Sequence, residues 1–172
     1  MNKKLKIFLI SLAVIIIGAG GFLGVYRLQR IQGKATSEEI NASIKNRSKT
    51  NKVVVYTQDR AFKNSVLEEV KEQIKDENIY LKIEPIEKIN KNNPSGWDKV
   101  IILSTVQSSD PPKEALDYIN KYEEKVNIGI FLTADSRVWS KQPDNIEATT
   151  GASKKENISI FSEGILAFIA DK

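Results

Sequence analysis

From residue 51 onward, short apolar runs alternate with segments that carry a single apolar face. Three runs are apolar without alternation, which is typical of strands buried on both faces of a sheet: residues 52–57, 100–104 and 126–133. Residues 79–86 (IYLKIEPI) instead alternate and contain Pro85, which predicts an edge strand. Residues 145–148 predict a short fifth strand.

The segments between these strands have helical spacing. Phe62, Val66, Val70 and Ile74 recur every four residues and predict one buried helical stripe. Asp110 and Pro111 are typical of a helix cap and first helical position, and Ser153 with Glu156 predicts a capping box for a last helix.

Alternating strands and helices predict an α/β fold, a doubly wound parallel sheet with right-handed crossovers. Because the second strand has the features of an edge strand and the first, third and fourth have those of buried strands, the predicted strand order is 2-1-3-4-5.

The N-terminal part has a different pattern. An uncharged apolar run from Ile7 to Tyr26 lies between Lys-rich and Arg-containing flanks, and about 20 such residues suffice for a membrane-spanning helix. We therefore predict a single-pass anchor in residues 1–30 that contacts the lipid bilayer through residues 7–26. The alternative is a cleaved signal peptide, since small residues stand at 18–21. Residues 31–50 are predicted to be a polar stalk, and residues 51–172 the folded domain.

The position of the charges bears on partners and location. The first 50 residues contain nine Lys/Arg and two Asp/Glu, whereas the remainder contains seventeen and twenty, so the folded part is mildly acidic. This distribution argues against nucleic-acid binding. We expect a cell-membrane protein. Lys/Arg lie on both sides of the apolar run, which leaves the orientation open, while a short Lys-rich N-terminal tail that stays in the cytoplasm favours a domain on the extracytoplasmic side.

The chain has no Cys and no His. Thiolate nucleophiles, Ser-His-Asp triads and the usual zinc sites are therefore excluded. Acid–base chemistry would depend on carboxylates, Lys or Tyr.

Polar loops follow the predicted buried strands, and open α/β sheets bind ligands at the carboxyl ends of their strands. The first loop reads Thr57-Gln58-Asp59-Arg60-Ala61-Phe62-Lys63-Asn64-Ser65. Two further loops run from Ser104 to Asp110 and from Thr133 to Ser140.

In its strand order and these loops, the region 51–172 resembles the flavodoxin family, whose first loop has the pattern T/S-x-T-G-x-T and wraps the phosphate of FMN. Thr57 stands at the first hydroxyl of that pattern; the glycine is missing, Asp59 adds a negative charge, and Arg60 or Lys63 would compensate for it. The resemblance implies FMN as cofactor. It implies the following contacts: Thr57, Gln58, Arg60 and Asn64 around the phosphate, and Ser104, Thr105, Gln107, Thr133 and Trp139 beside the flavin ring.

Each of these loops also has a simpler interpretation. The hydroxyls after Ser104 would form a solvated turn, and Trp139 would pack in the core. At residues 149–153 a helix start could bind an anion, or Gly151 could simply turn the chain.

Three functions remain open at this point. The first is a membrane-anchored FMN domain that transfers electrons to a redox or protein partner. The second is a cofactor-free binding or scaffold module with the same fold. The third is a hydrolase in which Asp59, Asp110 and Asp135 hold a divalent metal.

Overall fold

The structure, a computed structural model, describes residues 3–31, 35–107 and 109–171. The chain divides into two compact units, Met1–Gly33 and Lys34–Lys172. The first contains one helix, α1 (Lys3–Ile31). The second contains the strands β1 (Glu38–Ile40), β2 (Asn51–Thr57), β3 (Ile79–Pro85), β4 (Lys99–Thr105), β5 (Asn127–Thr133) and β6 (Thr149–Gly151), with helices α2 (Ala61–Ile74), α3 (Lys113–Tyr122) and α4 (Ile158–Ala170).

The second unit is an α/β domain built on one six-stranded sheet in the order β1-β3-β2-β4-β5-β6. β1 pairs antiparallel with β3, and all other neighbouring strands are parallel. The five parallel strands therefore have the predicted order 2-1-3-4-5.

The two faces of the sheet are covered by different helices. Val53 and Val55 of β2 face a core shared with α2 and α4. Val54 and Tyr56 face the core formed with α3 and a 3₁₀ segment at Ile86–Lys91. Because successive side chains of a strand point to opposite faces, both faces of β2 must be apolar. This explains the uninterrupted apolar runs in the sequence.

Residues 35–50, predicted to be part of a stalk, instead pack on the domain. β1 extends the sheet beyond β3, with Glu38 opposite Ile83 and Ile40 opposite Leu81. Asn41 has a left-handed φ of 57° and donates its side-chain N–H groups to the carbonyls of Ile74 and Ile79, both at 2.9 Å. Asn tolerates this conformation better than most residues. Residues 32–34 of the predicted stalk lie outside the described residues.

The same segment is also bound through the buried carboxylate of Glu84 on β3. This carboxylate accepts hydrogen bonds from Ser37 at 2.5 Å and from Lys88 at 2.7 Å, and Lys82 lies 2.8 Å away. Burial alone would raise the pKa of Glu84, but the hydrogen bonds from Lys82, Lys88 and Ser37 outweigh it and lower the pKa to about 2.

Several predicted element ends differ from the structure. α3 begins at Lys113 with Pro112 as its N-cap, so Asp110 does not cap it and Pro111 precedes it. A 3₁₀ turn at Lys155–Asn157 precedes α4, so Ser153 is not its cap. The last strand is β6 at Thr149–Gly151, four residues after its predicted start.

Lys99, the first residue of β4, binds the C-terminal end of the last helix. Its ammonium group donates to the carbonyls of Phe168 at 2.5 Å, Ile169 at 3.1 Å and Asp171. The carbonyls of Phe168 and Ile169 belong to the last turn of α4, where carbonyls lack partners within the helix, and Asp171 is its C-cap residue. The lysine of β4 thus fixes the C-terminal end of α4 to the sheet.

In the first unit, large apolar side chains of α1 are exposed, among them Phe8, Ile15, Ile16 and Leu23. Within residues 3–31, 35–107 and 109–171, no helix meets both the length and the apolar character that crossing a membrane requires. The predicted spanning helix over residues 7–26 is therefore not supported.

If residues 35–50 belong to the folded domain, Asn41→Ala should destabilise the whole domain. The change removes two hydrogen bonds and places a less suitable residue at positive φ, so we expect a loss of about 2 kcal/mol in the free energy of unfolding. Chemical denaturation followed by tryptophan fluorescence measures it. Asn41→Gly is the matched control, because it keeps the backbone conformation and loses only the hydrogen bonds. An unchanged midpoint in both variants would contradict the assignment.

Candidate functional site

Three threonines end three adjacent strands at the carboxyl edge of the sheet. Thr57 ends β2, Thr105 ends β4 and Thr133 ends β5, with Thr105 directly opposite Thr133. Each lies two residues after a side chain of the core shared with α2 and α4, namely Val55, Leu103 and Phe131. Their side chains therefore lie on that face of the sheet.

Lys63 joins this edge from the first turn of α2. Its side chain is buried, with 1% of the residue exposed. Its Nζ donates to Oγ1 of Thr105 at 2.6 Å, and this oxygen lies 3.0 Å from Oγ1 of Thr133. Thr133 in turn donates to the carbonyl of Ser104 at 3.3 Å. One amine and two hydroxyls thus form a continuous chain of hydrogen bonds, here called the strand-end cluster: Lys63, Thr105 and Thr133.

The environment of Lys63 disfavours its charged form. Burial, with a smaller effect from the nearby charge of Arg60, lowers the pKa of Lys63 from 10.5 to about 7. At neutral pH a large fraction of the molecules therefore contains a neutral amine. A neutral amine can accept a proton, which ordinary lysines at this pH cannot do.

The loop pattern alone suggested Lys63 only as a compensating charge. Its position held a stronger signal, because Lys63 precedes Val66, Leu67 and Val70 by three, four and seven residues. It therefore lies on the buried stripe of α2, together with those three side chains. A lysine on such a stripe must bury its amine or bend it out to solvent.

The first loop supplies one more group to the edge. Gln58 is buried, and its side-chain oxygen accepts a hydrogen bond from the backbone N–H of Thr105 at 3.2 Å. Thr57 is buried as well. Asn64 instead donates to Asp59 at 2.8 Å in an exposed contact. Arg60 precedes α2 and makes no side-chain cap on it.

The other predicted residues are directed elsewhere. Ser104 is two residues after Ile102, so its side chain lies on the α3 face, where its Oγ is buried without a partner among the described residues. Gln107 and Asp110 exchange backbone hydrogen bonds of 2.7 and 3.1 Å, which close the loop from Ser104 to Asp110. Ser108 of this loop lies outside the described residues.

Trp139 is a core residue rather than an exposed ring. It is 4% exposed and belongs to the apolar cluster on the α3 face. Its indole N–H donates to Asp110 at 3.3 Å, and Lys141 donates to the same carboxylate at 3.2 Å. Since the indole ring is buried, this arrangement offers no free face for stacking.

The hydrolase hypothesis required three aspartates around a metal. Asp59 is bound to Asn64, and Asp110 to Trp139 and Lys141. Among the residues that the structure describes, no three acidic side chains gather closely enough to hold a metal ion. This geometry does not favour a carboxylate–metal site.

Comparison with known proteins adds no assignment. No protein-family model matches the chain, and no curated protein shows significant sequence similarity to it.

The buried amine predicts a particular dependence of stability on pH. Between pH 7 and pH 10.5 the unfolded chain binds more protons at Lys63 than the folded one, so stability rises with pH in this window and is lowest below it. We expect Lys63 to contribute a gain on the order of 2 kcal/mol between about pH 7 and pH 9.

Denaturant unfolding at several pH values measures this gain. Lys63→Met should remove it and be more stable than the wild type at neutral pH. Lys75→Met, which changes an exposed lysine at the end of the same helix, should keep it. If the free energy of unfolding changes with pH in the same way in the wild type and in Lys63→Met, Lys63 stays protonated over this range and the prediction is wrong.

Proposed function

We propose that this protein is a cofactor-free, flavodoxin-like binding module that is held at a membrane by its N-terminal helix. The main support is that the polar groups at the carboxyl edge of the sheet form hydrogen bonds with one another. The Thr105 hydroxyl contacts Lys63 and Thr133, and the side-chain oxygen of Gln58 accepts from the backbone N–H of Thr105. In a flavin site the corresponding groups would have to face the cofactor.

The first loop supports the same proposal. A flavin phosphate requires backbone N–H groups and cations around an anion site. Here Asp59 brings a carboxylate to that loop and is bound to Asn64. A cleft beside the loop, lined in part by Thr57, Asp59 and Asn64, has a volume of about 220 Å³. Pockets for ligands of drug size usually measure about 300–1,000 Å³. FMN is a ligand of at least drug size, so this cleft is too small for it.

The proposed attachment rests on the exposed apolar side chains of α1. Leu9, Ile10, Ile15 and Ile17 are between 45% and 73% exposed. Apolar side chains in such number favour transfer from water to lipid, at roughly 25 cal/mol per Å² of buried area. Lys3, Lys4 and Lys6 precede the apolar residues and suit an anionic lipid surface.

A flavin titration tests the cofactor-free proposal. The full-length chain, purified in mild detergent, should leave FMN fluorescence unchanged up to high micromolar FMN. The reason is that, among the described residues, polar groups of the first loop and of the strand ends bond to one another instead of facing a flavin. An apo-flavodoxin in the same detergent is the positive control. Stoichiometric quenching that Arg60→Gln weakens would establish the alternative, an FMN domain for electron transfer.

Membrane attachment is tested by fractionation of cells that express the full chain. We expect the wild type in the membrane pellet and the double variant Ile15→Asp/Ile16→Asp in the supernatant, since two buried charges oppose lipid insertion. The matched control is Val138→Asp/Ile160→Asp, which changes exposed apolar side chains of the α/β domain and should stay in the pellet.

Alkaline carbonate then separates the two modes of attachment. A surface-bound helix is released and a spanning helix is retained. A reporter fused to the C-terminus reports the side of the membrane. Wild-type protein found wholly in the supernatant would contradict the attachment.

A further inference from the structure

The strand-end cluster brings a hydroxyl and a buried amine into direct contact. Nζ of Lys63 and Oγ1 of Thr105 are 2.6 Å apart, within the range at which a general base activates a nucleophile. The two residues differ in accessibility, because Lys63 is fully buried whereas Thr105 is partly exposed. A ligand would therefore approach the cluster from the Thr105 side, where it would also lie next to the amine.

The neighbouring groups determine where the hydroxyl proton points. Thr133 donates its proton to the carbonyl of Ser104, so its oxygen is available as an acceptor for Thr105. When Lys63 is charged, its N–H donates to Thr105, and the Thr105 proton is then free to point to Thr133. When Lys63 is neutral, the Thr105 proton can turn toward Nζ, and the threonine oxygen becomes a better nucleophile.

We propose that Thr105 is a nucleophile activated by Lys63, and that the strand-end cluster is an acyl-transfer site for carboxylic esters or similarly activated carbonyl compounds. Thr133 is a positioning residue that orients the Thr105 hydroxyl. This activity goes beyond the binding function proposed above and does not depend on it.

The reaction is balanced with water as the only co-reactant. Thr105 Oγ1 forms a bond to the acyl carbon while its proton moves to Nζ of Lys63. The carbon–oxygen bond to the leaving alcohol then breaks, and Lys63 returns the proton to that alcohol. Water attacks the acyl carbon of the resulting threonine ester and gives a proton to Lys63. The bond between the acyl carbon and Thr105 Oγ1 then breaks, Lys63 returns the proton to Oγ1, and the carboxylic acid leaves.

The start of α2 supplies a favourable electrostatic environment. Backbone N–H groups in the first turn of a helix lack partners within the helix, and this end carries a partial positive charge. The N-cap residue Arg60 places no side chain on them and contributes a further cation near Lys63. Such groups stabilise the negative oxygen that develops on an attacked carbonyl.

A purely structural lysine would account for the cluster less well. Burial of a cation without a carboxylate partner is costly, and an apolar side chain of similar length would fill the same space without that cost. Within the described part of the chain, Lys63 bonds to a hydroxyl and to no carboxylate. The arrangement therefore has a stability cost that a reactive site explains.

The test uses the full-length chain in mild detergent and a fluorescent fluorophosphonate, which reacts with activated hydroxyls. An oxygen–phosphorus bond forms, fluoride leaves, and the hydroxyl proton passes through Lys63 to solvent. We expect one adduct per chain, located on Thr105 by peptide mass spectrometry. Thr105→Val and Lys63→Met should reduce labelling at least 100-fold, about the lower limit of a general base's contribution. Thr105→Ser should keep the labelling.

Two comparisons separate a general base from a structural lysine. Lys75→Met should be labelled at the wild-type rate, and the wild-type rate should rise with pH through the range in which Lys63 loses its proton. Circular dichroism checks that Lys63→Met is folded; if it is not, the pH profile of the wild type decides. No adduct on folded wild type, an adduct on another residue, undiminished labelling of Lys63→Met or a flat pH profile would each overturn the proposal.

Discussion

The domain depends on a sheet whose central strands are buried on both faces. β2 and β4 have apolar cores on either side, so no polar side chain can be placed along their middle without a cost in free energy. Polar residues are restricted to the strand ends, where parallel strands bring them to a common edge. The threonines at this edge share a face because each is the same distance from a core residue. The local chemistry is therefore a direct result of how the sheet is covered.

Lys63 connects that edge to the helical layer. The other fully buried side chains of α2 are aliphatic, so Lys63 places an amine on an otherwise apolar helical face. The domain gains a link between α2 and β4 through Thr105, and loses stability through the burial of a cation. Groups with strongly perturbed pKa values are concentrated at functional sites, which is why this residue, rather than the predicted flavin contacts, is the centre of the proposed activity.

The sequence was most informative where burial is strong. The apolar runs of β2, β4 and β5 predicted both the strands and their order, because a short run without alternation is typical of a strand covered on both faces. Short polar elements were predicted less well: β1 was missed, and β6 was predicted four residues too early. Both have three residues, too few for any periodicity, and are stabilised by pairing with a longer neighbour. Asn41 forms its contacts with residues more than 30 positions away, which no local pattern reports.

β1 also protects the outer side of β3. β3 is seven residues long and mostly buried. Without β1, its unpaired backbone N–H and C=O groups would be open to pairing with another protein chain, which leads to edge-to-edge aggregation. β1 occupies the positions next to Leu81, Lys82 and Ile83, and it places two glutamates at the new border of the sheet. A protein shortened to begin at residue 51 would lose β1 and its two charged side chains. Its tendency to self-associate could then be mistaken for a property of the intact molecule.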